Sequence, residues 1–129
     1  MTIVYDIQYN AIEVMAMSDI QEIVTNMQQE LRRGAVILCV LSQLTEPRYG
    51  YALVESLEAK GIRIEPGTLY PLLRRLEKQE LLTSEWETSG AKPRKYYVLS
   101  RMGEEVYRLL LKDWDELQNT INKLTGKKE

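Results

Sequence analysis

Between Pro66 and Glu77 the chain reads Pro-Gly-Thr-Leu-Tyr-Pro-Leu-Leu-Arg-Arg-Leu-Glu, a pattern that few folds can use. Wound at about 100° per residue, the helical repeat, it puts Leu69, Leu72, Leu73 and Leu76 on one side. Gly67, Pro71, Arg74 and Lys78 point the opposite way, with Tyr70 and Arg75 flanking them. The leucines need a core to lie on. The other face offers small residues, an aromatic hydroxyl and Arg/Lys, which is the chemistry of a helix lying in a major groove.

Charge supports a polyanionic partner only when it is resolved along the chain. The whole protein has 17 Lys/Arg and 19 Asp/Glu, a net of -2. Residues 60 to 101 hold nine Lys/Arg against five acids, a net of +4. The remainder, with eight against fourteen, carries -6. A basic patch on an acidic body is an electrostatic footprint for nucleic acid. A solvated mixed-charge surface would give the same count, so charge does not decide alone.

Other chemistries find little support. The chain has no His, which removes the commonest general base and zinc ligand. No activated-thiol signature, phosphate loop or paired-acid motif is present, so an enzyme is not expected, nor a metal or cofactor. The single Cys39 lies in the apolar run Ala35 to Leu41 and reads as an inert core thiol. One cysteine cannot form an intrachain disulfide, which suits a reducing cytoplasm. That apolar run is seven residues long, far short of the roughly 20 that span a bilayer, so no membrane association is expected. The first residues lack the basic-then-apolar order of a signal peptide.

A length of 129 residues fits one domain with an appended helix. Ile3-Val4-Tyr5 reads as a strand fragment or a frayed lead. Met17-Ser18 resembles an alternative start, and Ser18 with Gln21 fits a capping box. Ile20, Val24, Met27 and Leu31 then step as an amphipathic helix that either runs on or breaks near Gly34. A turn is expected over Thr45 to Arg48, then a helix from about Tyr49 to Lys60 stopped by Gly61. The helix of the opening paragraph begins at Pro66, Gly67 or Thr68. Leu81 to Glu87 and Arg94 to Leu99 read as a hairpin with a basic tip of Lys92, Arg94 and Lys95. Ser100 caps a last helix on which Met102, Val106, Leu110, Trp114, Leu117, Ile121 and Leu124 step by 4, 4, 4, 3, 4 and 3, close to a heptad seam. The tail from Gly126 should fray. The fold class is mainly α with a small β-hairpin wing: a winged helix-turn-helix plus N-terminal and C-terminal dimerisation helices. Residues 1–29 form the N-terminal extension and helix, 30–99 the winged unit, and 100–129 the last helix.

Three spaced motifs then agree. Tyr49-Gly50-Tyr51, Gly67-Thr68-Leu69-Tyr70-Pro71 with Leu73, Arg75, Leu76 and Glu77, and Arg94-Lys95-Tyr96-Tyr97 with Leu99 and Gly103 resemble the PadR family of transcriptional regulators. The resemblance covers about Glu30 to Leu124. It implies a homodimeric winged-helix regulator, usually a repressor, whose last helix dimerises with help from N-terminal helices. The short C-terminus resembles the small subtype, with one dimerisation helix. Two positions depart from the family pattern. The usual Gly after the recognition helix is Glu80, so that helix must end without the residue that takes a left-handed turn most easily. The usual Gly- and Arg-rich wing tip reads Gly90-Ala91-Lys92-Pro93-Arg94-Lys95.

The expected DNA-binding residues are Thr68, Tyr70, Arg74, Lys78, Lys92, Arg94 and Lys95. Thr68 and Tyr70 hydroxyls near a helix N-terminus suit phosphates. Arg74 has the reach for a guanine edge, and Lys78 for a phosphate. Tyr70, at the edge of the apolar face, could instead be partly core. Alternation sends Lys95 and Tyr97 to one face of the wing, Arg94 and Tyr96 to the other. Val106, Leu110, Trp114, Leu117, Ile121 and Leu124 are the expected dimerisation residues. Trp114, with Leu110, has two readings. One is plain packing. The other comes from the resemblance, since some multidrug-binding PadR repressors carry a Trp at this spacing after the Gly of the last helix and sandwich flat aromatic effectors between subunits. The expected partners are a pseudo-palindromic double-stranded operator, a second copy of the chain and a small aromatic effector. The alternatives are a small-molecule sensor, or a protein-interaction winged helix with weak DNA binding.

Overall fold

The computed structural model describes residues 11–127, so Ile3-Val4-Tyr5 and the last two residues of the tail lie outside the described residues. The chain divides into two units, Met1–Val36 and Ile37–Glu129. Helix α1 (Ala11–Ser42) supplies all the described residues of the first unit. It runs unbroken through Gly34. Ser18 lies inside it, so the expected capping box does not form. No Gly or Pro interrupts the chain from Ala11 to Arg33, and a box needs a non-helical residue to start from. In the first unit, the stripe of Ile12, Ile20, Ile23, Met27 and Leu31 is exposed.

In the second unit the order is the end of α1, then β1 (Arg48–Tyr49), α2 (Gly50–Ala59), α3 (Pro66–Lys78), β2 (Leu82–Glu87), β3 (Arg94–Leu99) and α4 (Arg101–Thr125). The strands form an antiparallel sheet in the order β1-β3-β2. The sequence pattern predicts a turn at Arg48 and a two-stranded wing. Instead Arg48 pairs with Tyr97 and Tyr49 with Tyr96. Such a strand is too short to leave a period-2 signal. The core gathers Val40, Leu41 and Leu44 from the end of α1 and beyond. It adds Leu53 and Leu57 of α2, Leu69, Leu73 and Leu76 of α3, and Leu82, Tyr97 and Leu99 of the sheet. The Leu99 N–H donates to the Leu44 carbonyl at 2.8 Å, joining the sheet to the chain just past α1.

Helices α2, α3 and α4 close in one way. In each, one residue just past the helix takes positive φ, and two amides return to the last turn. The Gly61 and Ile62 amides donate to Glu58 and Leu57, those of Glu80 and Leu81 to Glu77 and Leu76, and those of Gly126 and Lys127 to Lys123 and Asn122. This is the Schellman closure. Gly61 and Gly126 suit it. Glu80 adopts it as well, at φ 66°, so α3 closes through the left-handed turn without the Gly that would take it most easily. The bonds to Leu76 and Glu77 impose that turn, and Ser100 Oγ donates to the Glu80 carbonyl at 2.6 Å. The same Oγ accepts from the Gly103 N–H at 2.9 Å, capping α4 as expected. A Cβ on Gly103 would fall 2.0 Å from the Leu81 carbonyl oxygen, so only Gly fits there. Gly126 and Lys127, the first residues of the tail, complete the closure of α4.

Candidate nucleic-acid interface

α3 starts at Pro66, whose missing N–H costs nothing in a first turn. Its buried face is Leu69, Leu73 and Leu76, with Leu72 half-buried, as the leucine spacing requires. Pro71 sits inside the helix without breaking it. It removes one amide donor, and the carbonyl it would have served belongs to exposed Gly67, where water can bond it. Gly67, Thr68, Pro71, Arg74, Arg75 and Lys78 are all exposed.

Tyr70 lies differently. It is half-buried, with its ring over the start of α2. A Cβ on Gly50 would stand 2.5 Å from a ring carbon and 2.9 Å from the hydroxyl. Tyr70 thus spaces α3 from α2, and the Gly of Tyr49-Gly50-Tyr51 makes room for it.

The wing presents two faces. On the outer one, the Arg94 guanidinium lies 4.7 Å from the centre of the Tyr49 ring. That ring meets Tyr96 edge-on, at 5.8 Å and 85°, and the Tyr96 hydroxyl donates to Glu85 at 2.8 Å. Bonding to the Glu85 carboxylate pushes the Tyr96 hydroxyl pKa up. Arg94 is therefore exposed but propped. On the inner face, Lys95 Nζ reaches Glu77 of α3 at 3.3 Å. It also lies 5.2 Å from the Tyr97 ring centre and 5.9 Å from that of Trp86. Ser84 of β2 donates to the other oxygen of Glu77. That hydrogen bond, aided by Lys95 and opposed by burial, holds the Glu77 carboxyl below the usual Glu range. Burial works against the Lys95 charge, but the bond to Glu77 and attraction to Tyr97 and Glu77 raise it above an ordinary Lys.

The expected residues therefore separate into groups. Arg74 and Lys78 share the outer face of α3 with Gly67 and Pro71, Thr68 is exposed on its flank, and Lys92 and Arg94 lie at the tip and outer face of the wing. Arg74, Arg75, Lys78 and Lys92 form no ion pair among the described residues. Tyr70 packs on α2, and Lys95 turns back onto α3. Glu77 was quoted only as part of a motif. Its link to the wing could be found only by combining its place on α3 with the strand register. On α4, Leu110, Trp114, Leu117, Ile121 and Leu124 are exposed and Val106 is half-buried. No group of acids or Cys suited to a metal occurs among the described residues. No helix among them is long and apolar enough to cross a membrane.

A helix with a basic outer face beside a basic-tipped wing defines a DNA-binding winged-helix protein. The family model described as the transcriptional regulator PadR-like family matches residues 37–109. A PadR family transcriptional regulator from Eggerthella lenta has a crystal structure similar to this one. It is 53% identical, with a TM-score of 0.76, over 86% of this chain and 96% of that one. A PadR-like transcription factor from Bacteroides fragilis is 37% identical, with a TM-score of 0.66, over 77% of this chain and 98% of that one. A transcriptional regulator of Mycobacterium tuberculosis is 39% identical over 70 residues, which is 54% of this chain and 65% of that protein. The chain belongs to the PadR family. It is a transcriptional regulator of the DNA-binding kind and not an enzyme.

Proposed function

We propose that the protein is a homodimeric, sequence-specific repressor of the cytoplasm. Its recognition helix α3 enters the major groove of a pseudo-palindromic operator while the wing holds the flanking backbone. The outer face of α3 carries this reading. It presents Gly67, Pro71, Arg74 and Lys78 together, directly behind the leucines that fix the helix to the core, with Thr68 exposed on the flank. Arg74 reads a base edge. Thr68, Lys78, Lys92 and Arg94 hold phosphates. Tyr70 and Lys95 serve from the protein side, setting the height of α3 and the stance of the wing. Repression follows if the operator overlaps a promoter, since a bound dimer then excludes polymerase.

Selection of bound DNA from a random pool tests the reading. It should return inverted half-sites about one helical turn, ~34 Å, apart. Arg74→Ala should weaken the selected site far more than random DNA. Lys92→Ala should weaken both alike and flatten the salt dependence. Equal losses on every sequence for Arg74→Ala would remove its base-reading role. In transcription in vitro from a promoter carrying the site, the protein should lower the yield, and a rise would reverse the sign.

The effector reading rests on Trp114, which is 40% exposed beside 37% exposed Leu110 in the mid-seam. Asp113, Asp115 and Glu116 are exposed next to it. A flat aromatic cation would gain roughly 0.5–2 kcal/mol from an indole face. Coupling to DNA requires that it bind one arrangement of the two heads better. Calorimetry with planar dyes should show binding that Trp114→Ala abolishes. Binding that survives this change would make Trp114 a packing residue.

A further inference from the structure

Glu77 stands at the junction of the two DNA-facing elements. It belongs to α3 but points to the wing, taking Ser84 of β2 on one carboxylate oxygen and Lys95 of β3 on the other. The register shows why this grip matters. β1 pairs only with Tyr96 and Tyr97, while β2 and β3 continue to Glu87 and Arg94. Towards the tip the wing is a bare two-stranded ribbon, which is marginal unless something holds it. Lys95 lies where that ribbon begins. Its side chain is 28% exposed and that of Glu77 33%, so the pair is sheltered rather than a loose surface contact.

We propose that Glu77 is a positioning residue for DNA recognition. It sets the stance of the wing against α3 and withholds the Lys95 charge from the phosphate backbone. The inference rests on the reading above, that α3 and the wing engage DNA together. Its consequence is a trade between specificity and charge. With Glu77 in place, Lys92 and Arg94 are presented at a fixed distance from Arg74, and Lys95 adds nothing to backbone attraction. Without that carboxylate the wing loosens and Lys95 becomes free to meet a phosphate.

The test is Glu77→Gln in the full-length protein, which keeps the shape and an acceptor for Ser84 but removes the charge. Preference for the selected operator over random DNA should fall by about tenfold. The slope of log affinity against log salt should steepen by about 0.9 per protomer, the value of one phosphate contact. Amide exchange should quicken in 82–87 and 94–99 while α2 keeps its protection. Lys95→Gln should loosen the wing and lower preference equally, but without steepening the slope. The charge swap Glu77→Lys with Lys95→Glu should restore preference. A uniform loss on all DNA with an unchanged slope, or a swap that restores nothing, would reduce Glu77 to a structural residue. Unchanged exchange in the wing would overturn the inference whatever the DNA result. Wild-type protein that prefers no DNA sequence would instead overturn the proposed function. The exchange data would then still report whether Glu77 holds the wing.

Discussion

Glu80 and Gly67 each take a position that another residue would fill better for stability. Glu80 holds φ 66°, where a side chain costs about 1–2 kcal/mol relative to Gly. Glu80→Gly should raise stability by about 1 kcal/mol in urea unfolding, since the closing bonds to Leu76 and Glu77 remain. A loss would mean that the carboxylate has a role outside the backbone turn. Gly67 is the reverse case. It lies in a helix with nothing within 4 Å of where its Cβ would be, so packing does not explain it. Gly67→Ala should stabilise the fold by about 1 kcal/mol and still weaken operator binding, because the added methyl stands where a phosphate or base must approach. Binding that follows the stability gain would remove Gly67 from the interface. The leucines of α3 were legible because burial imposes a period of 3.6 on them. The turn at Glu80 was marked only by the family pattern, because hydrogen bonds from flanking residues impose it and its own side chain gives no sign.

The wing and α3 were readable singly from period and turn chemistry, but not as a pair. β2 and β3 fell within one residue of expectation, with Arg94 and Lys95 on opposite faces as alternation required. That Lys95 faces α3 depends on which side of the sheet the helix covers, and local pattern cannot say that. The Glu77 to Lys95 link should appear in the pH dependence of stability. The Glu77 carboxyl is held below the unfolded value of about 4.3. Its contribution is complete above that pH and is lost as pH falls through the folded value. The gap in urea midpoint between wild type and Glu77→Gln should therefore shrink on acidification from pH 7 towards 3. A constant gap would show that the carboxylate gains nothing from its charge. Lys95 acts at the other end. Its raised pKa gives stability that is complete below about pH 10.4 and is lost as pH rises through the folded value.

At the scale of the molecule, α4, like α1, carries an apolar pattern left open to solvent. Leu117 is 51% exposed, Ile121 44% and Leu124 80%. Spacing made the seam legible from the start, yet a seam specifies only that something covers it. A second copy should do so, at about 25 cal/mol per Å² of apolar surface buried. Leu117→Asp should shift the protein from dimer to monomer in sedimentation at micromolar concentration and lower its thermal stability. A wild type that sediments only as a 15.0 kDa monomer would remove the dimer and the paired operator with it. The two indoles of the chain fall in two separate places, Trp86 beside the Lys95 ammonium on the wing and Trp114 in the apolar stripe of α4. Each is partly open to water, so each should change its emission when its own surroundings change. Replacing either one with Phe leaves a single reporter, for the proposed operator contact in one case and for the proposed subunit pairing or effector entry in the other. The two single-tryptophan proteins can therefore be followed side by side, without a dye attached, and comparing the rates at which their signals move will tell which event leads.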